Sequence, residues 1–186
     1  KLNPITYQDT ETDFVLSQIC DPLVEVSPEG SYTAQGAVIE DYSVEDDGKV
    51  YIFNIRKGIK FHNGEDLTAE DVKFTYESLM DKELASPHRS YYEGIEKLEL
   101  VDEYTLKVTL GETNVTFLTN ARLRNHVLPK DYIEEVGWQG YEQNPVGTGP
   151  YEFVEHVPGQ RIVLKANEDY WDGEPHIENL IFRFYP

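Results

Sequence analysis

Apolar and polar positions alternate most clearly from Val50 to Arg56, where Tyr51, Phe53 and Ile55 fall on one face. A period of two predicts a half-buried strand. Tyr104, Leu106, Val108 and Leu110 repeat the pattern, and Asp102-Glu103 separates them from a second run, Ile95 to Val101. Tyr151–Val157 and Arg161–Ala166 form another pair of apolar runs. Pro158-Gly159 between them supplies the turn of a hairpin. Ile177 to Tyr185 alternates as a last strand, and shorter extended pieces are expected at Leu23–Val26 and Ile39–Val44. Pro28-Glu29-Gly30 and Asp46-Asp47-Gly48 punctuate them, and Asp-Gly marks a hairpin because both residues tolerate positive φ.

Helical spacing is strongest at Val72, Tyr76, Leu79 and Met80, predicting a helix from about Ala69 to Met80. Thr68 and Asp71 resemble a capping box with Asp in place of the usual Glu or Gln. A shorter helix runs from a cap at Thr12 or Asp13 to about Cys20, with Phe14, Val15 and Ile19 inward and Pro22 as its stop. Pro129 opens a third, Lys130 to Val136, which Gly137 ends, leaving Trp138–Asn144 as loop. Phe117 to Val127 is ambiguous, part helix and part extended. Hairpins and helices without regular βαβ repeats predict a mixed α/β (α+β) fold with antiparallel parts.

Composition narrows the function classes. The 186 residues carry 35 acidic against 16 basic side chains, a net charge of −19. Such a chain is a poor partner for nucleic acid or for an anionic lipid surface. Solubility or a salty habitat explains the acidity, and a cationic ligand drawn in by the field is the sharper alternative. No apolar run approaches the roughly 18–20 residues of a membrane helix. Cys20 is the one cysteine, so neither an internal disulfide nor a cysteine-rich zinc site is available. Its apolar neighbours predict a buried, inert thiol.

Catalytic and cofactor signatures are missing. His62, His88, His126, His156 and His176 do not pair with one another or with Glu at helical metal-ligand spacing. Gly147-Thr148-Gly149 runs into Pro150-Tyr151 and lacks both the Lys-Ser/Thr of a P-loop and the full dinucleotide fingerprint. The Glu45–Lys49 turn lacks the ligand spacing of a calcium loop. The serines stand outside a GxSxG context. The reading is therefore a binding protein with no cofactor, no metal and no enzymatic activity.

Three blocks in register carry a family resemblance. Asn144-Pro145-Val146-Gly147-Thr148-Gly149-Pro150-Tyr151 is followed by a hairpin of the pattern PGxRIVLxxNxxYW, ending at Trp171. Arg56 to Gly64 (RKGIKFHNG) and Leu67 to Phe74 (LTAEDVKF) form the second block, and Leu2-Asn3-Pro4 the third. Together they resemble the extracytoplasmic solute-binding proteins of family 5, the peptide- and nickel-binding receptors of ABC importers.

The resemblance implies a lobe of the type II periplasmic-binding-protein kind, a mixed sheet with an inserted smaller α+β subdomain. The ligand-lobe core would use residues 1–22 and 136–186, and the insertion residues 23–135. Both ends look like cuts, and family members carry a signal sequence before this region and a second lobe after it. The chain is thus expected to be the first lobe of a longer receptor, extracytoplasmic and lipid-anchored. It would capture oligopeptides between two lobes and pass them to a membrane permease. Nickel chelates, haem, oligosaccharides or a non-transport sensing role are the alternatives on the same fold. By resemblance, the loop after Leu2-Asn3-Pro4 faces the cleft, pointing to Tyr7, Gln8 and Thr10. His88 follows Ser86-Pro87 where peptide-binding relatives place an aromatic. Arg122, Arg124 and Asn125 match a segment that lines the cleft of nickel-chelate relatives, where a basic residue meets a ligand carboxylate. Gly147 and Gly149 lie near the hinge and are expected to be structural.

Overall fold

The computed structural model describes residues 1–123 and 126–185, the side chains of residues 122 and 123 excepted. Its elements are α1 (Thr10–Ile19), β1 (Glu25–Val26), β2 (Tyr32–Thr33), β3 (Ile39–Glu45), β4 (Val50–Ile55), α2 (Ala69–Met80), β5 (Ile95–Asp102) and β6 (Thr105–Leu110). They continue with α3 (Phe117–Leu123), α4 (Lys130–Gln143), β7 (Tyr151–Val157), β8 (Arg161–Ala166) and β9 (Asn179–Arg183). The sheets are β1-β2, β3-β4-β6-β5 and β7-β8-β9. A mixed sheet is expected from the resemblance. Among the described residues every strand pairing is instead antiparallel. For β3-β4, β5-β6 and β7-β8 the reason is local: they are hairpins, too tightly joined for a parallel crossover.

The four-stranded sheet buries one face. Tyr51, Phe53 and Ile55 of β4 and Leu106, Val108 and Leu110 of β6 meet Val72, Tyr76 and Leu79 of α2 and Phe117 of α3. Phe117 anchors the aromatic packing, with ring centroids 4.6 Å from Tyr51 and 6.1 Å from Tyr76. A second apolar cluster joins Val15, Leu16 and Ile19 of α1, with Leu2, Tyr7 and Cys20, to Tyr151, Ile162 and Leu164 of the three-stranded sheet.

The N-terminal loop touches both clusters, Ile5 in the first and Leu2 and Tyr7 in the second, and two further stretches lead from one cluster to the other. Cys20 belongs to the second and Leu23 to the first, and Val146 belongs to the first and Tyr151 to the second. The two stretches lie side by side: the Gly149 N–H donates to the Ile19 carbonyl at 2.8 Å.

Three local expectations need correction. Phe14, expected inward, is 60% exposed, because the buried stripe of α1 is Val15, Leu16 and Ile19. The α1 cap is Asp9, whose carboxylate accepts the Thr12 N–H, rather than Thr12 or Asp13. Gly137 breaks α4 with φ 70° but does not end it, and helix resumes through Trp138 to Gln143. Trp138 stacks on Phe74 of α2 at 6.2 Å and Tyr141 is fully buried, so packing on the main core restores the helix.

Candidate functional site

The N-terminal loop turns on Asn3, whose side chain accepts the Ile5 N–H at 2.9 Å and whose carbonyl accepts the Tyr7 N–H at 3.0 Å. This places Tyr7 inward, 4% exposed, while Gln8 and Thr10 face solvent. The Ser86-Pro87-His88 loop docks onto the same stretch, because the Ser86 hydroxyl donates to the Ile5 carbonyl at 2.6 Å. His88, 5% exposed, then packs on the Tyr7 ring with centroids 4.7 Å apart, and Tyr91 stacks on His88 at 6.4 Å. The His126 ring lies 6.0 Å from Tyr7, and its Nε2 is 3.3 Å from the Asp13 carboxylate.

Tyr7 and His88 are thus brought into contact as a buried support, and Gln8 and Thr10 form the exposed rim beside it. The expectation for Arg122, Arg124 and Asn125 falls outside what the structure describes, Arg122 being placed only by its backbone in α3. Four residues went unrecognised in the sequence. Asp13 and His126 join the cluster, from α1 and from the segment after α3 respectively, a pairing across 113 positions that no local motif signals. Exposed Phe14 shares the outer face of α1 with Thr10, and Tyr91 is 42% exposed. For Phe14 a signal existed: it stands off the 15–16–19 stripe.

A second constellation sits where the two stretches cross. The Asp21 carboxylate, 4% exposed, accepts hydrogen bonds from the Thr148 hydroxyl at 2.9 Å, the Tyr170 hydroxyl at 2.8 Å and the Trp171 indole at 2.8 Å. Burial pushes its pKa up, against the pull of those three donors. The Arg56 guanidinium lies 5.0 Å above the Trp171 ring. His62 reaches the same place from the turn after β4, its Nε2 2.9 Å from the Gly149 carbonyl and its Nδ1 3.3 Å from the Gly147 nitrogen. A Cβ on Gly147 would lie 2.2 Å from the Ile19 oxygen, and one on Gly149 2.6 Å from the Ile19 carbonyl carbon. Only glycine lets these backbones touch.

Cys20 is buried beneath Gly147, and its thiol is pushed up to about 12 by burial, so it is neutral and unreactive. Among the described residues no group of three or more His, Cys, Asp or Glu side chains is arranged to hold a metal ion. Among them, too, no helix is long and apolar enough to cross a membrane.

Residues 33–186 match the family described as bacterial extracellular solute-binding proteins, family 5 Middle. The chain belongs to that family. Proteins similar to it include the oligopeptide-binding protein AppA of Bacillus subtilis, 35% identical over 147 residues that cover 76% of this chain and 27% of the relative. Di/tripeptide-binding protein 1 of Pseudomonas aeruginosa is 31% identical over 93% of this chain and 36% of its own length. The structure of AppA in complex with a nonapeptide superposes with a TM-score of 0.89 over 98% of this chain and 37% of AppA, at 28% identity. NikZ of Campylobacter jejuni, in complex with Ni(L-His), superposes with the same TM-score over all of this chain and 37% of NikZ, at 27% identity. The chain therefore spans about a third of the length of the relatives it matches. Its fold is that of part of a type II periplasmic binding protein, and family 5 proteins bind solutes rather than catalyse reactions.

Proposed function

We propose that this chain is the first lobe of an extracytoplasmic, lipid-anchored receptor that captures oligopeptides and delivers them to the membrane permease of an ABC importer. The likeness of nearly the whole chain to a receptor solved around a nonapeptide carries this reading. The surface at the N-terminal loop suits it. Tyr7, His88 and His126 form a packed base, and Gln8 and Thr10 beside it offer side-chain and backbone polar groups to an extended ligand. A second lobe closes over that face and completes the contacts. The ligand-lobe core comprises residues 1–22 and 136–186 and the inserted subdomain residues 23–135; the separate cluster built from α1 and the three-stranded sheet supports a distinct core, although Ile5, Tyr141 and Val146 pack with the other cluster.

A second reading, capture of a nickel chelate, is favoured by the equal likeness to the Ni(L-His) receptor. There Arg122, Arg124 and Asn125 would meet the carboxylates of the chelator.

Titration of the complete receptor with defined tri- to nonapeptides tests the proposal. Saturable binding is expected, weakened about three- to tenfold by Gln8→Ala, the scale of one lost hydrogen bond. Indifference to every peptide together with tight binding of a nickel–histidine complex would move the function to the second reading.

A further inference from the structure

His62 makes three contacts with one short segment. Its own N–H donates to the Gly147 carbonyl at 2.9 Å, its Nδ1 faces the Gly147 N–H at 3.3 Å, and its Nε2 faces the Gly149 carbonyl at 2.9 Å. A backbone N–H can only donate and a carbonyl can only accept. The imidazole therefore carries its hydrogen on Nε2 and leaves Nδ1 bare, so the neutral ring is the form that fits. A second proton, on Nδ1, would set one N–H against another.

The segment has no room to shift away on its other side. Gly147 and Gly149 rest on the Ile19 backbone so closely that neither tolerates a Cβ. We propose that His62 is a positioning residue, a proton-sensitive clasp that seats residues 147–149 against the end of α1 and so fixes how the two apolar clusters are joined.

The charges facing it leave the neutral form in place. Glu152 of β7 and Lys165 of β8 act on the ring in opposite directions and pair with each other at 2.8 Å. Cys20, under the loop, is a neutral thiol. Withdrawal of the ring from water lowers its pKa below the ordinary 6.5. The folded protein thus takes up this proton at lower pH than the unfolded chain. The contribution of His62 to stability is whole above 6.5, declines as pH falls below it, and levels off below the lowered value.

Nuclear magnetic resonance of the complete, ligand-free receptor tests this apart from the identity of any ligand. At neutral pH the His62 ring is expected as the Nε2–H tautomer. As it titrates below 6.5, the Gly147 amide should shift with it and lose about tenfold of its protection against exchange, measured relative to the intrinsic rate at each pH. In His62→Phe the protection of the Gly147 amide, relative to the intrinsic rate, should be low at every pH, with no step. An Nδ1–H tautomer at neutral pH, or a Gly147 amide blind to the titration, would overturn the proposal. If the Phe variant does not fold, the wild-type titration decides alone.

Discussion

At the scale of single residues, the crossing is held by groups with little freedom to change. Asp21 satisfies three donors at once, and its removal would leave the Thr148, Tyr170 and Trp171 donors without it. Asp21→Ala is expected to lower stability by about 1–3 kcal/mol in urea titration, and an unchanged midpoint would show that water replaces the carboxylate freely. Its raised pKa has a sign opposite to that of His62. The folded state keeps the Asp21 proton to higher pH than the unfolded chain, so its contribution is whole below 3.8 and is lost as pH rises through the raised value. Gly149→Ala meets backbone on the facing strand of chain, and a loss of about 1–3 kcal/mol or more is expected. Wild-type stability in that variant would contradict the close approach. These demands were partly legible. Gly147-Thr148-Gly149-Pro150 declares a loop by its residue types, but the reason for glycine is the Ile19 carbonyl, about 130 positions away and invisible to local pattern. Phe14 misled because an aromatic residue beside Val15 looks like core, whereas the stripe that is buried passes it by.

Among the elements, legibility followed local determination. The α2 helix begins and ends where its spacing and cap predict, and the Thr68–Asp71 capping box is present. The β7-β8 hairpin likewise matches its apolar runs, with Gly159 at φ 72° in the turn. The second half of α4 was not legible, since Gly137 is a local stop that Trp138 and Tyr141 override by packing on distant residues. Asp71 shows the same division inside one residue. Its Oδ2 accepts the Thr68 N–H at 2.9 Å, as the motif requires, while its Oδ1 accepts the Lys130 N–H at 3.0 Å and ties the start of α4 to the start of α2. Thr68→Ala is therefore expected to cost about 1 kcal/mol, the value of a cap. Asp71→Ala should cost roughly 1–3 kcal/mol beyond that, because the Lys130 N–H loses its partner as well. Equal losses in chemical denaturation would mean that the tie between the two helices contributes nothing.

Across the whole molecule, the family is carried by motifs spread over the chain, and three blocks in register were enough to read it. The arrangement those motifs produce was not readable in the same way. Two apolar clusters, a double crossing sealed by glycine contacts, and a loop pinned by Ser86 to bring Tyr7 against His88 all depend on contacts between residues far apart in sequence. The surface that results is half of a binding site on this account, a packed aromatic base with a polar rim waiting for an opposing lobe. The most direct test is native mass spectrometry of the complete receptor, purified without denaturation, to weigh what it carries. Oligopeptide capture predicts a set of bound masses that fragment as short peptides and are displaced by an added peptide pool. A single bound mass with the isotope pattern of nickel, or a protein that stays bare in the presence of the pool, would contradict it.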